Sequence, residues 1–569
     1  MKQRMLLAAV IFLACIVRFY MLGAVPVGLH RDEAFLGYNG YSILKTGKDI
    51  TGNPFPLHLA SFLYSPAGYA YAAIAPLFFF GLTPFSIRFA SALSGALTVF
   101  VVYYLARELV TLPGFLFNKR LKYRGNPATI SLLAAVFLAV SPWHINLSRT
   151  ATENTIAVLF LSLSLLAYFI YIRTQRIWLW LTFLAFATAT YAIYQAPRAF
   201  LPLIFPVLLL YAWNRIPKKQ IAIVLLSAIV CIYIPVITLM LSPELSIRIR
   251  TVSVFASRET QLTIDEALRE DGVSGTPVVL SRLFHNKLLG YADAITYNYF
   301  RHFSYDFLLT DAGFPDRYRI PGHGLLYSPE IICAITGIIS IILSKRRLGY
   351  VLLWWILMAP VGSAMTFDDV PNLQRTLLVF PVLSIISAYG MIAWVKYLKR
   401  VRYGIVAGFI GLVWILWSIF TYLHAYYVHQ VHHRPYYRHE GYAALVSTLN
   451  RLLPAYDKAI ISNHESTPAM FFFVYNTLNP AVVQKLWKES GNTDIGTLSY
   501  GPYIFSKDPC PLRATDPDSH SNHPVITGIP GILYVNYAEC KTDNPNIHMI
   551  DTINRRDGSP VFHILEVIR

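Results

Sequence analysis

Apolar residues recur along the first three quarters of the chain in twelve long runs, near 5–25, 64–82, 86–107, 128–143, 154–172, 177–195, 199–213, 220–241, 326–344, 349–364, 376–395 and 403–428. Most of them approach the roughly 20 residues with which an α-helix crosses a bilayer while satisfying its own backbone groups. Polar positions collect in two longer stretches, 242–325 and the part after 428. The latter mixes short strand-like runs (Lys458 to Ser462, Gly531 to Val535) with helix-like stretches such as Gly441 to Leu453, the pattern of a small α/β domain. The pattern predicts an α-helical polytopic membrane domain over 1–428 and an α/β domain over 429–569.

Composition supports this division. Hydrophobic residues make up 55% of the 569 and charged residues only 14%, against roughly 25% in soluble domains. The net charge of +17 raises nucleic acid as a partner, so its placement matters. Nineteen basic residues sit in short gaps between apolar runs: Lys2 and Arg4; Arg107, Lys119, Arg120, Lys122 and Arg124; Arg173 and Arg176; Arg215, Lys218 and Lys219; Lys345, Arg346 and Arg347; Lys396, Lys399, Arg400 and Arg402. One acid, Glu108, accompanies them, and the remaining charge is nearly balanced. The excess is a topology signal that marks loops retained in the cytoplasm, and nucleic acid is not needed to explain it.

The same clusters set the parity of the spans. If all twelve runs crossed, residues 2–4 and 107–124 would lie on opposite faces, although both are basic. One of the first three runs therefore does not cross. The run 64–82 is the weakest, broken by Pro66 and Pro76, and reads as an interfacial or re-entrant helix on the outer face. About eleven spans remain, with the N-terminus cytoplasmic and the C-terminus outside, in a multi-pass protein of the cell membrane. Arg18 interrupts the first apolar run and no small-x-small cleavage site follows, so this run reads as a retained span rather than a signal peptide. Cys15, Cys231 and Cys333 lie in apolar runs as packing residues; Cys510 and Cys540 lie in the tail, either as a disulfide or as two thiols.

Inner loops are short and basic, outer loops long and varied, which places function outside. The first outer loop carries adjacent acids, Asp32 and Glu33, just after the first span. They read either as a solvated loop end or as a general base at the membrane surface. His144, Arg149 and Glu153 fall between two spans, Arg198 in Tyr194-Gln-Ala-Pro-Arg198, and Arg375 just after Asp368, Asp369 and Asn372. Each arginine alone reads as an interfacial anchor; several on one face, with acids among them, suit an anionic substrate. His302 and His323 lie in Tyr/Phe/His-rich segments of the long loop, a composition shared by sugar-stacking sites and interfacial aromatic belts. His429, His432 and His433 read as a wet helix end, and Asp516-Pro-Asp518 as a proline turn.

With these residues in view, the chain resembles the polytopic glycosyltransferases of the C-type fold, the superfamily of protein O-mannosyltransferases and the aminoarabinose transferase of lipid A, in a bacterial branch. The likeness rests on the first span running into Asp32-Glu33, the interfacial run at 64–82, Phe85-Ser-Ile-Arg-Phe-Ala-Ser-Ala-Leu93, the acid Glu153, and Asn372-Leu-Gln-Arg-Thr-Leu-Leu-Val-Phe-Pro381. It covers roughly 1–430. The resemblance implies a polyprenyl-phosphate sugar as donor and an extracytoplasmic protein, lipid or cell-surface glycan as acceptor. It also implies inverting transfer with Asp32 as base, Glu33 beside it, and Arg375 and Arg198 on the donor phosphate. Arg149, Glu153, His302 and His323 are expected to bind substrate. No cofactor is called for, and a divalent metal at Glu153 stays open because many members carry Asp there. A polymerase or ligase of lipid-linked glycans is the nearest rival, and a lipid or sugar transporter a more distant one, since charge gathers at helix ends rather than at the midplane.

Reporter fusions test the topology. Fusions at Lys122 and Lys345 are expected to report cytoplasm, and fusions at Asp271 and Asp518 the outside; a cytoplasmic signal from residue 518 overturns the eleven-span count.

Overall fold

The computed structural model describes residues 1–60, 65–112, 126–242, 251–464, 467–491, 494–513, 528–542 and 544–568; Asp516 and Asp518 and the basic residues 119–124 lie outside them. The principal helices are α1 (Lys2–Phe19), α2 (Arg31–Thr46), α3 (Gly68–Phe80), α4 (Pro84–Thr111), α5 (Pro127–Val140), α6 (Pro142–Ser148), α7 (Glu153–Thr174), α8 (Ile177–Ile193) and α9 (Ala196–Ala212). They continue with α10 (Lys218–Met240), α11 (Arg258–Val273), α12 (Val278–Phe284), α13 (Lys287–Arg301), α14 (Ser328–Ser344), α15 (Arg347–Ala364), α16 (Leu377–Leu398) and α17 (Gly404–His429). After these come α18 (Tyr442–Leu452), α19 (Pro468–Tyr475) and α20 (Pro480–Ser490).

Each of the twelve apolar runs contains helix. Among the described residues seven helices are long and apolar enough to cross a membrane, namely α4, α7, α9 with its 3-10 extension, α10, α15, α16 and α17; the bent pair α5–α6 makes eight. The expectation of eleven spans is met to that extent. Helices α8 and α14 are apolar but only 17 residues long, about 25 Å at 1.5 Å per residue against a hydrocarbon layer of about 30 Å. α1 carries Lys2, Arg4 and Arg18. α3, from the run assigned to the interface, has 13 residues with Pro76 inside it.

The chain packs as two compact units, one of residues 1–20 with 91–425 and one of 21–90 with 426–569. Residues 21–90 thus group with the C-terminal part, across the division drawn at 428.

The first unit is helical. α5 stops at Ser141 because the residue before a proline is driven out of the helical region. Pro142 then opens α6 at 57° to α5, with the Ser141 hydroxyl accepting from the His144 N–H. The break leaves carbonyls without partners in a region with no water to serve them. Arg18, fully buried, donates to Ala139 O at 3.0 Å and Leu138 O at 3.2 Å and lies 3.0 Å from His144 Nδ1. Arg149 returns the favour to the end of α1, donating to Val17 O at 2.9 Å and Tyr20 O at 2.7 Å. Where α14 meets α16, a Cβ on Gly390 would lie 1.8 Å from Cys333 O and one on Gly337 2.2 Å from Ile386 O; only glycine allows backbones this close.

The second unit carries the predicted α/β domain. Apart from the two-residue antiparallel pair β1 (His58–Leu59) and β2 (Ser65–Pro66), its strands are β3 (Lys458–Ile461), β4 (Tyr503–Phe505), β5 (Ile532–Tyr537), β6 (Ile547–Asn554) and β7 (Pro560–Val567), in the order β4-β3-β5-β7-β6. β3 runs parallel to both its neighbours, and β7 antiparallel to both of its own. Cys510 and Cys540 form a disulfide. α2 is tied to this domain by Tyr38 Oη, which donates to Leu478 O, and by Gln484, whose amide donates to Ser42, Thr46 and the Asp49 carbonyl.

Candidate active site

In the second unit, Asp32 and Glu33 occupy the first turn of α2. His30 caps that turn: its Nδ1 accepts from the Asp32 N–H, while the Glu33 carboxylate accepts from the His30 N–H. A first-turn carboxylate faces the positive end of the helix dipole, which favours its charge. Adjacent positions on a helix diverge by about 100°, so the two acids meet different surroundings. Asp32 keeps 35% of its side-chain surface open, with Oδ2 3.4 Å from His30 Nδ1 and Oδ1 3.9 Å from Arg31 Nε.

Glu33 is completely buried. Its Oε1 lies 2.9 Å from Arg88 Nε and its Oε2 3.1 Å from Arg88 Nη2 and 3.4 Å from Arg438 Nη1. Arg88 also donates to the carbonyls of Leu22, Pro26 and Gly28. Glu33, expected beside the base, is held by Arg88 and Arg438, and through Arg88 it is tied to the loop 22–30. A buried carboxylate stripped of one such partner costs about 3–5 kcal/mol. Arg88 and Arg438 were missed as members of this group, although an arginine one turn inside a span signals a buried acid.

In the first unit, Arg198 and Arg375 line one cavity of about 440 Å³, with Tyr194, Gln195 and Thr366 as polar neighbours and Pro202, Leu203, Val236 and Met240 among its apolar walls. Arg198 opens from α9 and donates to Tyr191 O at the end of α8, at 2.8 Å from Nη2. Arg375 Nη1 donates to Thr366 Oγ1 at 2.6 Å and Asp368 O at 2.7 Å. Two guanidiniums on one partly apolar cavity suit an anion with a greasy tail.

His302 sits at the end of α13. It is buried, with Nδ1 2.8 Å from Asn298 O and Nε2 2.8 Å from Ser363 Oγ and accepting from the Asn372 N–H at 3.2 Å. Asn372 Oδ1 in turn accepts from the N–H groups of Gln374 and Arg375. His302, expected to bind substrate, thus supports the segment that carries Arg375. Arg149, expected to bind substrate, is buried on the end of α1. Glu153 opens α7, whose next residue, Asn154, donates to Gln374 O at 3.2 Å beside Arg375. The His323 ring stands 6.1 Å from that of Tyr422. Among the described residues no group of three His, Cys, Asp or Glu side chains is placed to hold a metal ion; His432 points Nδ1 to Arg556 O.

Burial holds the His302 imidazole at about 4, below its ordinary 6.5, with Arg301 and Arg375 adding to the effect. The ring is neutral in the fold, so its contribution is complete above about 6.5 and is lost as pH falls towards 4. The stability advantage of wild type over His302→Gln is expected to shrink across that window, with a limiting slope of about 1.4 kcal/mol per pH unit. Thermal melts of both proteins in detergent between pH 4 and 7.5 measure it; parallel curves contradict the assignment.

Comparison with known proteins places this geometry. Residues 65–238 match the family described as dolichyl-phosphate-mannose-protein mannosyltransferase. No curated protein sequence matches. Among solved structures, ArnT from Cupriavidus metallidurans bound to undecaprenyl phosphate is similar at 13% identity and a TM-score of 0.50, over 98% of this chain and 97% of that one. The apo state of ArnT gives 12%, 0.49 and the same coverage. The Archaeoglobus fulgidus oligosaccharyltransferase tethered with an acceptor peptide gives 14% and 0.46, over 84% of this chain and 60% of that one. At such identity the likeness to bound ArnT is one of fold. The chain therefore shares the fold of ArnT, and within it residues 65–238 resemble the dolichyl-phosphate-mannose-protein mannosyltransferases.

Proposed function

We propose that the protein transfers a sugar from a polyprenyl-phosphate donor to a hydroxyl of an extracytoplasmic acceptor, with inversion at the anomeric carbon. The observation that carries this reading is the pair Arg198 and Arg375 on one cavity with apolar walls. A lipid phosphate has that chemistry, and a protein of this fold has been solved with undecaprenyl phosphate bound. The acceptor oxygen attacks the anomeric carbon as its proton passes to Asp32. The bond from that carbon to the phosphate oxygen breaks, and its electron pair leaves on the phosphate. Positive charge, rather than an acid, is what such a leaving group needs, and the two arginines supply it.

Asp32 is the half-open member of the acid pair, and substitution separates it from Glu33. Asp32→Asn keeps the shape but not the basic oxygen, so turnover is expected to fall by roughly 10²–10⁴ with melting temperature and donor binding retained. Near-normal turnover of this variant in a sugar-transfer assay removes Asp32 from the chemistry.

Arg375 is tested by fork geometry. Lysine preserves charge but not two parallel donors, so Arg375→Lys is expected to impair turnover. Arg375→Ala is expected also to weaken binding of undecaprenyl phosphate, by roughly 1.5–3 kcal/mol for a lost charged hydrogen bond. Wild-type kinetics and affinity in Arg375→Lys transfer the phosphate role to Arg198.

A further inference from the structure

The arm α11–α13, within the long polar stretch, has a tip that water does not suit. In α12 only Ser281 is buried. Val279 is 80% exposed, Phe284 63% and Leu283 60%, and Leu288 at the start of α13 is 79% exposed. A contiguous apolar patch on a polar loop marks a contact surface. Arg282 and Lys287 stand exposed among these residues.

The far end of the arm shows where the surface leads. Tyr299 Oη donates to Leu357 O at 2.9 Å and Asn298 Nδ2 to Thr366 O at 3.0 Å, which fastens the last turns of α13 along the end of α15. Leu357 lies seven residues before the end of α15, about 10 Å of helix, and α15 is long and apolar enough to cross a membrane. Leu357 is itself exposed, and so are Tyr297 and Phe300 on α13. Exposed apolar residues thus occur on α15 at Leu357, at the end of α13 at Tyr297 and Phe300, and again at Leu288 and Leu289 beside the α12 tip. α11, which packs on α13 through Ile264 against Gly290, is by contrast charged, with Glu266, Arg269 and Glu270 exposed.

We propose that α12 is a membrane anchor: Val278–Phe284 and Leu288 insert into the leaflet at the C-terminal end of α15, the outer one on the charge-derived topology. Arg282 and Lys287 reach back to its phosphate headgroups. Apolar side chains with basic residues between them match the acyl–headgroup boundary, where long cationic side chains snorkel. The patch stands on a helix fastened to a candidate membrane span and carrying exposed apolar residues at both ends, and this favours the bilayer over a protein partner. The anchor goes beyond the sugar-transfer reading and stands without it.

Nitroxide labels test it on the full chain in nanodiscs of phosphatidylcholine and phosphatidylglycerol. Labels at Leu283→Cys and Leu288→Cys are expected to be relaxed by oxygen, which concentrates in lipid, and shielded from water-soluble nickel chelate, with at least a fivefold preference. A label at Glu266→Cys is expected to show the reverse, and unsubstituted protein corrects for its own thiols. Free access of the chelate to residues 283 and 288 overturns the proposal and leaves the tip in water. Exclusion of both relaxants overturns it in favour of cover by protein, such as a second copy of this chain.

Discussion

A backbone carbonyl at the end of a broken helix has no water to turn to inside a membrane, and most of this structure follows from how the chain answers that constraint. It answers with arginine. Arg18 serves the last carbonyls of α5, Arg149 those of α1, and Arg198 that of Tyr191 at the end of α8. Arg88 does the same for Leu22, Pro26 and Gly28, in the loop between α1 and α2. A guanidinium has five donors in a plane and a charge that does not titrate away. It therefore closes several open carbonyls at once, from another part of the chain. Breaks that would otherwise be intolerable become places where loops are held in one shape.

The constraint divides the arginines by what remains after capping. Arg88 needs a counter-charge in its buried surroundings and finds Glu33, with Arg438 as a third member. Arg198 spends its hydrogen bonds to Tyr191 O while still lining a cavity, and Arg375 bonds Thr366 and Asp368 on the wall of the same cavity. One residue type thus provides both the rigid frame and the anion-binding surface. The neutral His302 completes the second arrangement: with no charge of its own it orders the 372–375 segment and adds no repulsion towards Arg375.

Much of the architecture was legible along the chain. Each of the twelve apolar runs contains helix, the tail carries a five-stranded sheet, and the weak run at 64–82 yields a helix too short to cross. Arg198 and Arg375, picked out separately, share one cavity. Less was legible in the surroundings of Glu33, Arg149 and His302. A charged or aromatic residue near a membrane edge does not reveal its burial, and all three are buried. Their partners, at residues 88 and 438, at 17 and 20, and at 363 and 372, come from other elements.

What the sequence determined by itself is what depends on near neighbours: hydrophobic run length decides where helices form and proline decides where they break. What only the tertiary structure decided is which polar side chains stay open to solvent. Asp32 and Glu33 are adjacent and chemically alike, yet one is half-exposed and the other sealed, because a helix turns about 100° between them and an arginine 55 residues away meets only the second. The energy that makes that choice, desolvation against pairing, belongs to a contact between distant parts of the chain, and no local pattern records it.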